Sequence, residues 1–186
     1  KVTRELSVIA FSQPPAPRER LPPLSSQAEF RVLVIGVERC GKTSLLEKLK
    51  SLYTDTVGLP SKQIVPTVGL NIAKLVACDS KLTIWDLGGQ KGLRSIWEKY
   101  YAEAHAIVFV IDAREDSQDS RDTLQRLLTV TELDGAPVLV MMNKSDLVGG
   151  TEGTDSIRKE YEGLLSQSSR KSKVLSACAH SGEGLR

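Results

Sequence analysis

Three uninterrupted apolar runs organise the chain: Val32–Ile35, Ile107–Ile111 and Val138–Met142. None alternates with polar residues, so each predicts a strand buried on both faces, as in a parallel sheet covered by helices. Residues 70–86 read differently. Leu70–Val76 and Lys81–Trp85 flank Asp79-Ser80, which predicts an antiparallel hairpin turning at that pair. Helical spacing appears at Leu124, Leu127, Leu128 and Thr131, with Ser117 or Ser120 as N-cap and Gly135 as terminator. Ile157, Tyr161, Leu164 and Leu165 form a second stripe, with Thr154 as its cap. Both stripes read as core-facing surfaces. There is no internal repeat. The strand–helix alternation predicts a doubly wound α/β fold with ligands at the carboxyl ends of the strands.

Composition adds a boundary. Residues 1–28 hold five of the eight prolines, Pro14, Pro15, Pro17, Pro22 and Pro23, around the charged Arg18-Glu19-Arg20. This segment reads as an extended, disordered tail, and residues 29–186 as one domain. The length, 186 residues, suits that division. A formal net charge of +2 argues against a dedicated nucleic-acid binder. Cys40, Cys78 and Cys178 are odd in number and far apart, which argues against a disulfide framework or a zinc site and for a reducing, cytoplasmic setting. His105 and His180 are too few for a metal cluster. No apolar run approaches a membrane span, Val8–Phe11 is too short for a signal-peptide core, and no Met-Gly start offers a myristate acceptor.

The chemistry is concentrated in four motifs and a weaker fifth. Gly36-Val37-Glu38-Arg39-Cys40-Gly41-Lys42-Thr43 reads G-x-x-x-x-G-K-T between an apolar run and a helix-forming stretch beginning at Ser44. That is the context of a phosphate-binding loop, whose amides and helix N-terminus surround phosphate oxygens. Lys42 would reach the β- and γ-phosphates, and the Thr43 hydroxyl would ligate Mg²⁺. Trp85-Asp86-Leu87-Gly88-Gly89-Gln90 ends the next strand. Asp86 is suited to hold Mg²⁺ through a water, Gly89 to offer its N–H to a γ-phosphate, and Gln90 to orient an attacking water. Asn143-Lys144-Ser145-Asp146 follows Val138–Met142. Asp146 can accept both guanine N–H groups, a pair adenine lacks. Asn143 would tie this loop to the phosphate loop, and the Lys144 stem would pack over the base. In Pro66-Thr67-Val68-Gly69, Thr67 can contact Mg²⁺ and the γ-phosphate, so the loop would order with the triphosphate and release on hydrolysis. Cys178-Ala179-His180 could supply the Ala179 N–H to the guanine carbonyl, with Ser176-Ala177-Cys178 as a competing register.

Together these motifs resemble the Ras-like small GTPases, and Trp85–Gln90 with the short step from Thr67 to Asp86 resembles the ADP-ribosylation factor (Arf) family. The long insert between Thr43 and Thr67, Thr67-Val68-Gly69-Leu70-Asn71 and Trp97–Glu103 resemble its Arf-related branch. The resemblance covers residues 29–186. It implies a P-loop GTPase fold with a six-stranded, mostly parallel sheet and helices on both faces. It also implies a GTP/GDP switch with Mg²⁺, slow without an activating protein and charged by an exchange factor. Lys42 and Gln90 would carry catalysis. Gly36, Glu38, Arg39, Cys40, Gly41, Lys42, Thr43, Ser44, Thr67, Gly89, Asn143, Lys144, Asp146, Cys178 and Ala179 would bind nucleotide, and Thr43, Thr67 and Asp86 would manage the metal. Leu70, Trp85 and Tyr100 match the family's effector-reading triad, with ordinary core packing as the competing account. The resemblance also implies action on vesicle traffic at cytoplasmic Golgi or trans-Golgi membranes, and no nucleic-acid partner. Departures are Glu38 where the family has Asp, Arg39 and Cys40 where it has small residues, and a Pro-rich tail in place of an amphipathic helix. The family's final helix would follow Gly184-Leu185-Arg186, so the domain is expected to lack it. A GTP-gated scaffold with negligible hydrolysis remains an alternative. A small-molecule kinase is less well supported, because it leaves Asn143–Asp146 unexplained.

Overall fold

In a computed structural model, which describes residues 28–115, 117–148 and 151–185, six strands form one sheet in the order β2-β3-β1-β4-β5-β6. The strands are β1 (Glu29–Ile35), β2 (Leu70–Ala77), β3 (Ser80–Leu87), β4 (Ala106–Asp112), β5 (Val138–Asn143) and β6 (Ser172–Ser176). Only the β2–β3 pair is antiparallel. The helices are α1 (Lys42–Tyr53), the short α2 (Glu98–Tyr101), α3 (Gln118–Leu128) and α4 (Thr151–Ser166). The Pro-rich tail lies outside the described residues. Among those described, no helix is long and apolar enough to cross a membrane.

The continuous apolar runs are explained by two cores on opposite faces of the sheet. Successive side chains of a strand point to opposite sides. On one side Val32, Val34, Leu75, Ile84, Val108 and Met141 pack under Leu45, Leu46 and Leu49 of α1. On the other, Leu33, Ile35, Phe109, Val140 and Met142 pack under Leu124 and Leu127 of α3 and Tyr161 and Leu165 of α4. A strand buried on both sides has no room for polar alternation.

Three sequence expectations require correction. The hairpin turns at Cys78-Asp79, not Asp79-Ser80: both have left-handed φ, +49° and +57°, and Ser80 already pairs with Ala77. Gly135 does not end α3. The helix closes at Leu128 with Thr129 as C-cap, a 3-10 turn follows at Thr131–Leu133, and Gly135 comes after it. The β-branched run Thr129-Val130-Thr131 loses side-chain freedom in a helix and favours the break. Thr154 is not the cap of α4, which starts at Thr151; Thr154 is buried inside it. Of the two candidate caps of α3, Ser117 is the one used, accepting from the Ser120 N–H.

Candidate functional site

The loops that follow β1, β3 and β5 open on a cleft of about 340 Å³, lined by Glu38, Lys42, Thr43, Thr67, Gln90 and Lys144 among others. The loop after β1 wraps its floor. Lys42 is only 6 % exposed, and its ammonium donates to the carbonyls of Gly36 at 3.0 Å and Val37 at 2.8 Å. A buried cation therefore sits at the mouth of the loop, with Ser44 behind it in the first turn of α1. Gly89 closes over this group. A Cβ at that position would fall 2.5 Å from Lys42 Nζ and 2.4 Å from the Gly36 carbonyl oxygen, closer than a Cβ atom approaches either. Its lack of a side chain lets the β3 end seat against the loop.

Three oxygen-bearing side chains meet beside Lys42. Thr43 Oγ1 donates to Asp86 Oδ2 at 2.8 Å and lies 2.7 Å from Thr67 Oγ1. A hydroxyl has one proton, so with Thr43 donating to Asp86, Thr67 is the donor to Thr43. Asp86 is fully buried, and its other oxygen, Oδ1, makes no well-formed hydrogen bond. Burial pushes the Asp86 carboxyl above its ordinary range, against the pull of the Thr43 hydroxyl and the Lys42 charge. Hard oxygen donors with a lone pair to spare are the donor set of Mg²⁺ rather than of zinc. Thr43, Thr67 and Asp86 therefore fit such an ion.

Asn143 joins the second loop to the first. Its Nδ2 donates to the Cys40 carbonyl at 2.9 Å, and its Oδ1 accepts the Ala179 N–H at 3.0 Å. Gly41, with φ +90°, admits this contact; a Cβ there would lie 2.3 Å from Asn143 Nδ2. The two registers differ in their backbone bonds. Ala177 extends the sheet, its N–H bonded to the Met142 carbonyl, and its carbonyl accepts from Ser145 N–H and Oγ. Ala179 is thus the residue beside Asn143, and its N–H already has that acceptor. Cys178 turns inward and is buried, its Sγ accepting from the Ser181 N–H. Cys40 is also buried, and burial raises its thiol pKa, so it supplies packing under the loop rather than a nucleophile. Glu38, Arg39 and Asp146 are exposed, and Arg39 holds a left-handed φ of +63°.

Asp112 escaped the sequence reading. It lies at the end of β4, opposite Asn143. Lys144 Nζ donates to Asp112 Oδ2 and to the Arg39 carbonyl, both at 2.7 Å. Burial alone would raise the Asp112 pKa, but hydrogen bonds from Arg114 and Lys144 outweigh it and hold the carboxyl down at about 2. No motif signals the link to Lys144, because the two residues are 32 positions apart. Of the triad on β2, β3 and α2, Trp85 and Tyr100 meet edge to face at 5.1 Å, and Leu70 and Tyr100 pack against the same core as Trp85.

Comparison with known proteins accords with this geometry. The model of the ADP-ribosylation factor family matches residues 20–186. ADP-ribosylation factor-related protein 1 of Bos taurus is 36% identical over 162 residues, covering 85% of this chain and 80% of the relative. ADP-ribosylation factor-like protein 3 of Saccharomyces cerevisiae is 36% identical over 167 residues, covering 87% and 83%. In fold, the chain matches the Arl6 BBS3 small GTPase of Trypanosoma brucei, solved with the nucleotide analogue GppNp, with a TM-score of 0.68 at 24% identity over 85% of this chain and 91% of that one. With its phosphate loop, its paired glycines at Gly88-Gly89 and its Asn143-anchored second loop, the chain belongs to the ADP-ribosylation factor family and is a small GTPase, a hydrolase of GTP.

Proposed function

We propose that this GTPase is a Mg²⁺-dependent switch of the Arf-related kind, acting in vesicle traffic at the cytoplasmic face of Golgi or trans-Golgi membranes. The observation that carries the switch reading is the convergence of Lys42, Thr43, Thr67 and Asp86 at one cleft, with Thr67 contributed by a separate loop. Bound Mg²⁺ would neutralise phosphate charge there. Lys42 and the loop amides stabilise charge on the transferred phosphoryl group, Gly89 offers its N–H, and Gln90 orients the water. Thr67 reaches Thr43 from a loop separate from the phosphate loop, and release of that loop on hydrolysis would expose a different surface to partners.

Asp146 reads guanine, Lys144 covers the base, and Asn143 keeps both next to the phosphate loop. Ala179 completes the ring by exchanging its bond to Asn143 for the guanine carbonyl. Leu70 and Tyr100, half-buried over the buried Trp85, form the patch that effectors would read, and an exchange factor and an activating protein would set the two rates. The Golgi assignment rests on similarity to the Arf-related proteins. The deciding measurement is fluorescent GDP and GTP binding, loaded with EDTA and locked with Mg²⁺, then competed with GTP, ATP and XTP. Tight, Mg²⁺-locked binding displaced by GTP alone is expected. Displacement by ATP, or indifference to Mg²⁺, would overturn the reading.

A further inference from the structure

Gly89 is gripped from both sides. Its missing side chain faces Lys42, and its carbonyl accepts from Arg94 Nε at 2.9 Å. The same guanidinium donates to Asp119 Oδ1 at 2.8 Å, to Asp119 Oδ2 at 2.6 Å and to Thr123 Oγ1 at 3.1 Å. Arg94 lies over the Trp97 ring at 5.9 Å, and the Trp97 indole N–H donates to the Gly88 carbonyl at 2.9 Å. Asp119 and Thr123 stand one turn apart on α3, so they present their oxygens on one side of a helix anchored in the core by Leu124 and Leu127. The result is a strap from a fixed helix to the peptide that joins Gly89 to Gln90.

Stability alone does not explain this arrangement. The Arg94 side chain is 14% exposed, but its partner Asp119 is 41% exposed, and an ion pair half open to solvent adds only modestly to folding. Position does explain it. A peptide next to glycine is the freest part of a backbone. Its plane is rigid, however, so holding the Gly89 carbonyl also fixes the Gln90 N–H and the Cα that carries the Gln90 side chain. We infer that Arg94 is a positioning residue for GTP hydrolysis: it binds the Gly89–Gln90 peptide to α3 and so sets where Gln90 stands. The inference rests on the reading of Gln90 as the residue that orients water. Lysine cannot replace arginine here, because one ammonium cannot span a carboxylate, a hydroxyl and a carbonyl in fixed directions.

The test is single-turnover hydrolysis of preloaded GTP, started with Mg²⁺, with GDP affinity and thermal midpoint measured on every variant. Arg94→Lys keeps the charge and most of the stem, and remains informative should Arg94→Ala fail to fold. Both are expected to hydrolyse on the order of tenfold more slowly at wild-type GDP affinity. The exchanged pair, Arg94→Asp with Asp119→Arg, restores an ion pair but leaves the Gly89 carbonyl unheld, and is expected to stay slow. A wild-type rate in Arg94→Lys, or recovery in the exchanged pair, overturns the inference. Gln90→Leu separates the two layers. If it hydrolyses normally, the role of Gln90 fails and the inference with it; if it is inactive while Arg94→Lys is normal, only the inference fails.

Discussion

The two ends of the cleft hold their functional groups by different means. At the phosphate-loop end the groups are buried and locked by backbone. Lys42 is tied to two carbonyls, Asp86 is sealed from solvent, and Gly89 fits only because it has no side chain. At the Asn143–Asp146 end the carboxylate that would read a base is exposed, and order comes from side chains reaching across the fold: Asn143 to Cys40, Lys144 to Asp112. The first end is rigid by packing and intolerant of added atoms. The second is set by a few polar links, so its errors should be graded.

Substitutions should reproduce that difference in order of severity. Lys42→Ala removes a buried cation and is expected to cost about 2–5 kcal/mol of nucleotide affinity, read by calorimetric titration; a loss no larger than that of an exposed lysine such as Lys91 would dissolve the contrast. Asp146→Asn should leave GDP binding weakened and shift preference from GTP towards XTP by on the order of a hundredfold or more, seen in competition with both nucleotides. Unchanged base selectivity would remove Asp146 from the site. Gln90→Leu is expected to keep GTP affinity while slowing hydrolysis on the order of a hundredfold in the presence of an activating protein, and normal turnover would refute its role.

Smaller effects test the polar links. Asp112→Ala leaves Lys144 without its carboxylate partner and should speed nucleotide release about tenfold, the scale of one lost hydrogen bond to a charged group. Stopped-flow release of a fluorescent GDP is the assay; an unchanged rate would show that the Arg39 carbonyl alone suffices. The smallest effect is on pH. Asp112 titrates at about 2 in the folded protein and near 3.9 when unfolded. The unfolded chain therefore binds more protons in that interval, so the Asp112 contribution is complete above about pH 4 and disappears as pH falls towards 2. Denaturant midpoints of wild type and Asp112→Asn should differ above pH 4 and converge below it.

Much of this was legible along the chain because it depends on local pattern. Continuous apolar runs gave the buried strands, a glycine-rich loop between strand and helix gave the phosphate end, and the order of motifs gave the family. What was missed depended on registers and distant partners. The hairpin turn slipped by one residue because Asp79 suits either position, while pairing of Ser80 with Ala77 decides it. Thr154 looked like a cap because capping chemistry is local, yet burial places it inside α4.

By itself, then, the sequence determined the architecture and the identity of the groups at the cleft, since periodicity and loop chemistry act over a few residues. Only the tertiary structure decided how those groups are held. Asp112 meets Lys144, Arg94 meets Asp119 and Asn143 meets Ala179 across 32, 25 and 36 positions of chain. Such meetings follow from strand order and helix packing, which bring remote side chains within hydrogen-bonding reach and leave no trace in the spacing of residues.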